Sequence, residues 1–129
     1  MKTSVLAALA LASFTASAQA GDDTWMASAS IYGGGTQASG FCTITNMGTV
    51  AVAVQAVQVI NQNGTTLQLS GPTCIGNLNS FASCSTGAQV ATVGGTNTCR
   101  VRATNVNSLR GSFQVRDAQG NVLAASDLR

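Results

Sequence analysis

The chain has 129 residues, six Lys or Arg against four Asp or Glu, and no histidine. A near-neutral balance with few aromatics argues against a nucleic-acid partner, and the absence of histidine removes the commonest general base. The carboxylates Asp22, Asp23, Asp117 and Asp127 are scattered rather than clustered, so neither acid–base catalysis nor a calcium site is expected, and no cofactor is implied.

Residues 1–20 combine one charge at Lys2, the apolar run Val5–Ala12 and the small-residue triplet Ala18-Gln19-Ala20. This predicts a secretory signal peptide cut after Ala20. A span needs roughly 20 apolar residues, and Ser13, Thr15 and Ser17 interrupt this one. No other segment is apolar for long enough, so the mature chain is expected to have no transmembrane span and to be exported: periplasmic, cell-surface or extracellular. The 109 residues that follow position 20 keep five arginines and four aspartates and have no Lys or Glu, while Ser, Thr, Asn and Gln supply 40 of them. That is enough chain for one domain with a modest core, its solubility resting on neutral polar groups.

Strand signals follow in order. Trp25, Ala27, Ala29 and Ile31 alternate with Met26, Ser28, Ser30 and Tyr32 before Gly33-Gly34-Gly35, so residues 21–35 read as an N-terminal strand on a Gly-rich hinge, ahead of a sandwich domain over 36–129. Trp25 and Tyr32 are expected to cover the core edge, stacking on a sugar being the functional alternative. Cys42 and Ile44 alternate with Thr43 and Thr45; Asn46-Met47-Gly48 then turns into the β-branched run Val50–Ile60. Val50, Val52 and Val54 share one face and Val57 and Val59 the other, which predicts a β-bulge near Gln55 or Ala56. Asn63-Gly64 predicts a tight hairpin into Thr65–Leu69. Residues 70–95 read as loop-rich, with a short strand at Gln89–Val93. Cys99–Thr104, Ser112–Arg116 and Asn121–Ala125, the last two joined by an Asp117–Gly120 turn, predict a three-stranded meander. Seven or eight short strands with turns every 8–12 residues indicate an antiparallel β-sandwich, a small barrel being the alternative.

Cys42, Cys74, Cys84 and Cys99 are spaced 32, 10 and 15 residues apart with no CxxC, which favours two disulfides in an oxidising compartment over a zinc site. Read together, Cys42-Thr43-Ile44-Thr45-Asn46, Asn63-Gly64, Cys74, Ala82-Ser83-Cys84, Cys99-Arg100-Val101, Arg110-Gly111-Ser112 and Asp117–Gly120 resemble small exported bacterial β-sandwich proteins of uncharacterised function. The resemblance implies an immunoglobulin-like fold and no activity. The architecture also looks like a pilus or surface-fibre subunit, although chaperone-assembled pilins usually carry an aromatic residue near the C-terminus and this chain ends Ala125-Ser126-Asp127-Leu128-Arg129. In immunoglobulin-like sandwiches a bond between an early and a late central strand pins the sheets, which implies Cys42–Cys99 and Cys74–Cys84; Cys42–Cys74 with Cys84–Cys99 stays open.

If strands 99–104 and 112–117 form a hairpin with Thr104 opposite Arg110, then Val101 faces Phe113 and Cys99 faces Val115. Arg100, Arg102, Arg110 and Arg116 would then share one outward face: a solvated surface in the plain reading, an anion-binding stripe in the functional one. Two function classes follow: a structural or adhesive subunit meeting envelope or matrix proteins, and a binding module for an anionic ligand such as an acidic glycan. The sequence leaves the oligomeric state open.

Overall fold

The computed structural model describes residues 24–91 and 95–129. The leader, the Asp22-Asp23 pair, and Thr92 and Val93 of the expected 89–93 strand lie outside the described residues. Among the described residues there are nine strands and a single 3₁₀ turn, Val106–Ser108. The strands are β1 (Thr24–Ala27), β2 (Gln37–Asn46), β3 (Val52–Asn61), β4 (Leu69–Ser70), β5 (Gly76–Leu78), β6 (Ser83–Gln89), β7 (Asn97–Ala103), β8 (Leu109–Asp117) and β9 (Val122–Leu128). They form two antiparallel sheets, ordered β1-β7-β3-β5 and β4-β6-β2-β8-β9. The chain is therefore all-β and sandwich-like, with the inward faces of both sheets contributing to one hydrophobic core.

Alternation builds that core. Cys99, Val101 and Ala103 of β7 are fully buried, as are Phe113 and Val115 of β8; each large apolar side chain so placed contributes roughly 1.5–3 kcal/mol. The valines of β3 stay inward because the pairing with β7 slips between Val54 and Ala56, the bulge the valine pattern predicts. Phe113 lies so close to β2 that a Cβ on Gly40 would stand 2.9 Å from its ring, so glycine is required there by packing.

Two buried amides bracket β2. Gln37, its first residue, donates from Nε2 to Ala91 O and Gly95 O and accepts from Gly33 N–H. Asn46, its last, donates from Nδ2 to Val50 O and Leu78 O and accepts from Gly48 N–H. Their loops are thus tied to the sheet by satisfied polar groups, without which burial would be unfavourable. Among the described residues, the one buried side-chain oxygen or nitrogen without a partner is Thr86 Oγ1.

The turns show related chemistry twice. Asn61 Oδ1 accepts from Asn63 and Thr65 N–H, and Asp117 Oδ1 from Gln119 and Asn121 N–H. Each turn is closed by a glycine at positive φ, Gly64 at 78° and Gly120 at 88°. Only Gly64 of the Asn-Gly pair enters the left-handed region, so the turn is led by Asn61 rather than Asn63. After it the chain makes one bridge, Ile60 to Thr66, and leaves for the other sheet as β4, in place of the full hairpin expected over Thr65–Leu69.

Two further expectations fail. Ser83–Gln89 is a seven-residue strand pairing with β2, inside the stretch read as loop. Its inward residues Cys84, Thr86 and Ala88 are small or polar, so the apolar alternation that marks a strand is absent. More consequentially, β7 and β8 form no hairpin. The 3₁₀ turn, capped by the Asn105 side chain on Asn107 N–H, carries the chain from one sheet to the other.

Both disulfides match the wiring implied by the immunoglobulin-like resemblance. Cys42–Cys99 joins β2 of one sheet to β7 of the other with its Cα atoms 5.9 Å apart, and Cys74–Cys84 ties the loop after β4 to β6. Among the described residues no helix is long and apolar enough to cross a membrane.

Candidate functional site

The crossing between β7 and β8 separates the four arginines. Arg100 and Arg102 alternate with the buried Cys99, Val101 and Ala103, so they stand on the outer face of the four-stranded sheet. Arg110 and Arg116 stand on the outer face of the five-stranded sheet, since Leu109, Phe113 and Val115 point inward. The faces look away from each other across a core about 10 Å thick, so the single stripe of four does not form.

The β7 pair has the more distinctive surroundings. Trp25 on β1 is opposite Arg102 and Ala27 opposite Arg100; on the other side, Ala56 and Gln58 of β3 flank Arg102 and Arg100. The bulge in β3 sets this alignment, since without it Ala56 and Gln58 would take the opposite parity. The Arg100 guanidinium carbon stands 4.7 Å from the Trp25 ring centroid, and its Nε donates to Gln58 Oε1 at 2.6 Å. Cation–π attraction and the amide acceptor hold one end of the guanidinium. Such a group still offers its remaining N–H donors in a planar fork suited to carboxylate or phosphate.

Trp25 and Tyr32 do not cover the core edge. They are 45% and 47% exposed, and the inward residues of that segment are Met26 and Ser28. Trp25 instead extends the arginine face with a ring. The exposed alternation of Trp25 with buried Met26 was available in sequence, but a period of two does not say which set faces in.

The β8 pair sits in a different environment. Arg116 lies 4.8 Å over the Phe41 ring and donates through Nε and Nη2 to Gln114 Oε1. Arg110 Nη1 is turned onto the backbone oxygens of Asn107 and Leu109. Between them run hydroxyl pairs, Thr43 with Ser85 and Thr45 with Ser83, and Asp127 stands opposite Ser112. A carboxylate among these groups lowers the field an anion would meet. The four-stranded sheet carries no described acid, as Asp117 and Asp127 both belong to β8 and β9.

Asp117 is committed to its turn. The Asn121 side-chain amide, together with backbone N–H groups of Asn121 and Gln119, holds its carboxyl below the usual carboxylate range. It is therefore a poor proton acceptor at neutral pH. Among the described residues no three His, Cys, Asp or Glu gather as a metal site.

No protein-family model, curated protein or solved structure matches this chain.

Proposed function

We propose that the chain is an exported, non-catalytic adhesive module of the envelope or extracellular space, and that it recognises an acidic glycan through the outer face of its four-stranded sheet. The observation that carries the reading is the Trp25–Arg100–Gln58 stack beside Arg102. An exposed ring offers a platform for a sugar face, and two guanidinium groups on the same sheet, which has no acid among its described residues, meet a polymer's carboxylates. The immunoglobulin-like type of sandwich and the kinship with small exported bacterial β-sandwich proteins belong to the same reading. Export is supported by the leader-like residues 1–20 and by two disulfides, which persist in oxidising compartments.

The division of the arginines supplies the test. Binding of the mature protein to polygalacturonate is measured against a neutral dextran. The Arg100→Gln/Arg102→Gln double variant is expected to lose most of the binding and to flatten its salt dependence, Trp25→Ala to lose most of the binding, and Arg110→Gln/Arg116→Gln to leave it near wild type. Equal losses in the two arginine pairs, or unchanged binding in the first, would sink the proposal.

A further inference from the structure

At the end of the sandwich where β7 finishes at Ala103, three connections meet around Asn46. They are residues 47–51 between β2 and β3, 79–82 between β5 and β6, and 104–108 between β7 and β8. Asn46 binds all three regions directly or through its neighbours. Its side chain holds Val50 and Gly48, its backbone oxygen accepts from Phe81 N–H, its N–H donates to Ala82 O, and Met47 N–H reaches Ser108 O. Ser80 Oγ adds a bond to Gly48 O. The packing is close enough that a Cβ on Gly48 would stand 2.9 Å from Ser108 Cβ. These loops are tied down.

What they present is apolar. Met47 is 55% exposed, Val50 74% and Phe81 66%. Phe81 is also the third residue of the Asn79–Ala82 turn, closed by Ala82 N–H on Asn79 O, and has φ 58°. That slot favours glycine or asparagine and is unfavourable for a bulky residue. Neither turn chemistry nor core packing explains a phenylalanine held there facing solvent, and strain kept in place by its surroundings is a mark of function.

We propose that this loop end docks on a lipid bilayer surface, with Met47, Val50 and Phe81 entering the interfacial region. Two observations select the bilayer. The three side chains offer only a few hundred Å² of apolar area, well short of the roughly 800 Å² per partner of a stable protein interface. A few apolar groups entering the headgroup boundary suffice for reversible membrane association, more so with a cation beside them. The three connections contain no acidic residue. Arg110 follows directly on the same end, and among the described aspartates the nearest to it in register, Asp127, is opposite Ser112, two residues further along β8.

Co-sedimentation with phosphatidylethanolamine–phosphatidylglycerol vesicles tests the assignment, with the oligomeric state followed by analytical ultracentrifugation. Wild type is expected to bind. Phe81→Gly keeps the fold, since glycine suits φ 58°, and is expected to weaken binding about tenfold; Val50→Asp is expected to abolish it. Arg100→Gln, which removes the guanidinium stacked on Trp25 four residues from the 104–108 connection, is expected to bind vesicles as wild type does, which separates this end from the glycan-binding reading. Absence of vesicle binding by wild type, or binding unaffected by Phe81→Gly and Val50→Asp, overturns the proposal. So does a concentration-dependent dimer that the same substitutions dissolve, which would make a second copy the occupant.

Discussion

The two disulfides should differ in what they contribute, and the difference follows from where they lie. Cys42–Cys99 closes a loop with a sequence separation of 57, and Cys74–Cys84 one of 10. In the chain-entropy model the first restricts the unfolded chain by about 4 kcal/mol and the second by about 3 kcal/mol. Burial widens the gap. Cys42 and Cys99 are 1% and 0% exposed, so converting both to alanine also leaves a void in the core, adding about 1–2 kcal/mol. Cys74 and Cys84 are half-buried, and their replacement adds little. Cys42→Ala/Cys99→Ala is therefore expected to lose about 5–6 kcal/mol, and Cys74→Ala/Cys84→Ala about 3 kcal/mol, out of the 5–15 kcal/mol typical of a whole domain.

Guanidinium unfolding followed by far-ultraviolet circular dichroism measures both. With a slope of about 3 kcal/mol/M, the midpoint falls by about 1.8 M in the first variant and about 1 M in the second. The core variant stands close to the limit of folding. Equal shifts, or a larger one for Cys74→Ala/Cys84→Ala, would refute the reasoning that the bond between sheets is the main covalent constraint. Mild reductant should likewise open Cys74–Cys84 first, because attack on the buried pair requires the sandwich to open.

Three other perturbations have defined outcomes. Asn46→Ala strands Val50 O, Leu78 O and Gly48 N–H and is expected to cost about 3 kcal/mol in urea unfolding; a loss under about 1 kcal/mol would show the amide is dispensable. Thr86→Val replaces the hydroxyl that has no partner and is expected to raise stability by about 1 kcal/mol, read as a higher thermal midpoint. Asp117 has a lowered folded pKa, so the stability it contributes is present above the ordinary carboxylate value of about 3.9 and is lost as pH falls through the folded value. Wild type should accordingly be more stable than Asp117→Asn at pH 7, with the gap closing below about pH 4. A gap of constant size through the acid range would remove the carboxylate from the account.

Features fixed by local chemistry were legible in the sequence. The slip in the valine pattern around Gln55 marks the bulge because only an extra residue keeps Val52, Val54, Val57 and Val59 on one side. The glycine-closed turns were legible from Gly64 and Gly120, although the Asn61 side chain that organises the first was overlooked. Strand β6 was not legible. Its inward side chains are so small that the core reaches them through larger residues on neighbouring strands, and nothing in Ser83–Gln89 announces burial. Phe81 was also missed, because its left-handed backbone is set by the pairing of Asn46 with residues 81 and 82.

The displaced arginine stripe exposes a deeper limit of alternation. A period of two reports only which residues face the core, and in a two-sheet fold both sheets face the same core. Val101 and Phe113 satisfy the pattern equally as neighbours in one sheet or as opposite walls of the interior. The disulfide decides between them. Given that Cys42 on β2 is paired with Phe113 on β8, a β7 strand on the far side of β8 in that sheet would stand two strand spacings, roughly 10 Å, from β2. That exceeds the roughly 4.4–6.8 Å between Cα atoms that a disulfide permits, whereas the bonded pair is 5.9 Å apart. Once Cys42 bonds Cys99, β7 belongs across the core. Arg100 and Arg102 then turn toward Trp25, away from Arg110 and Arg116, so the same covalent link determines which arginines can meet a common ligand.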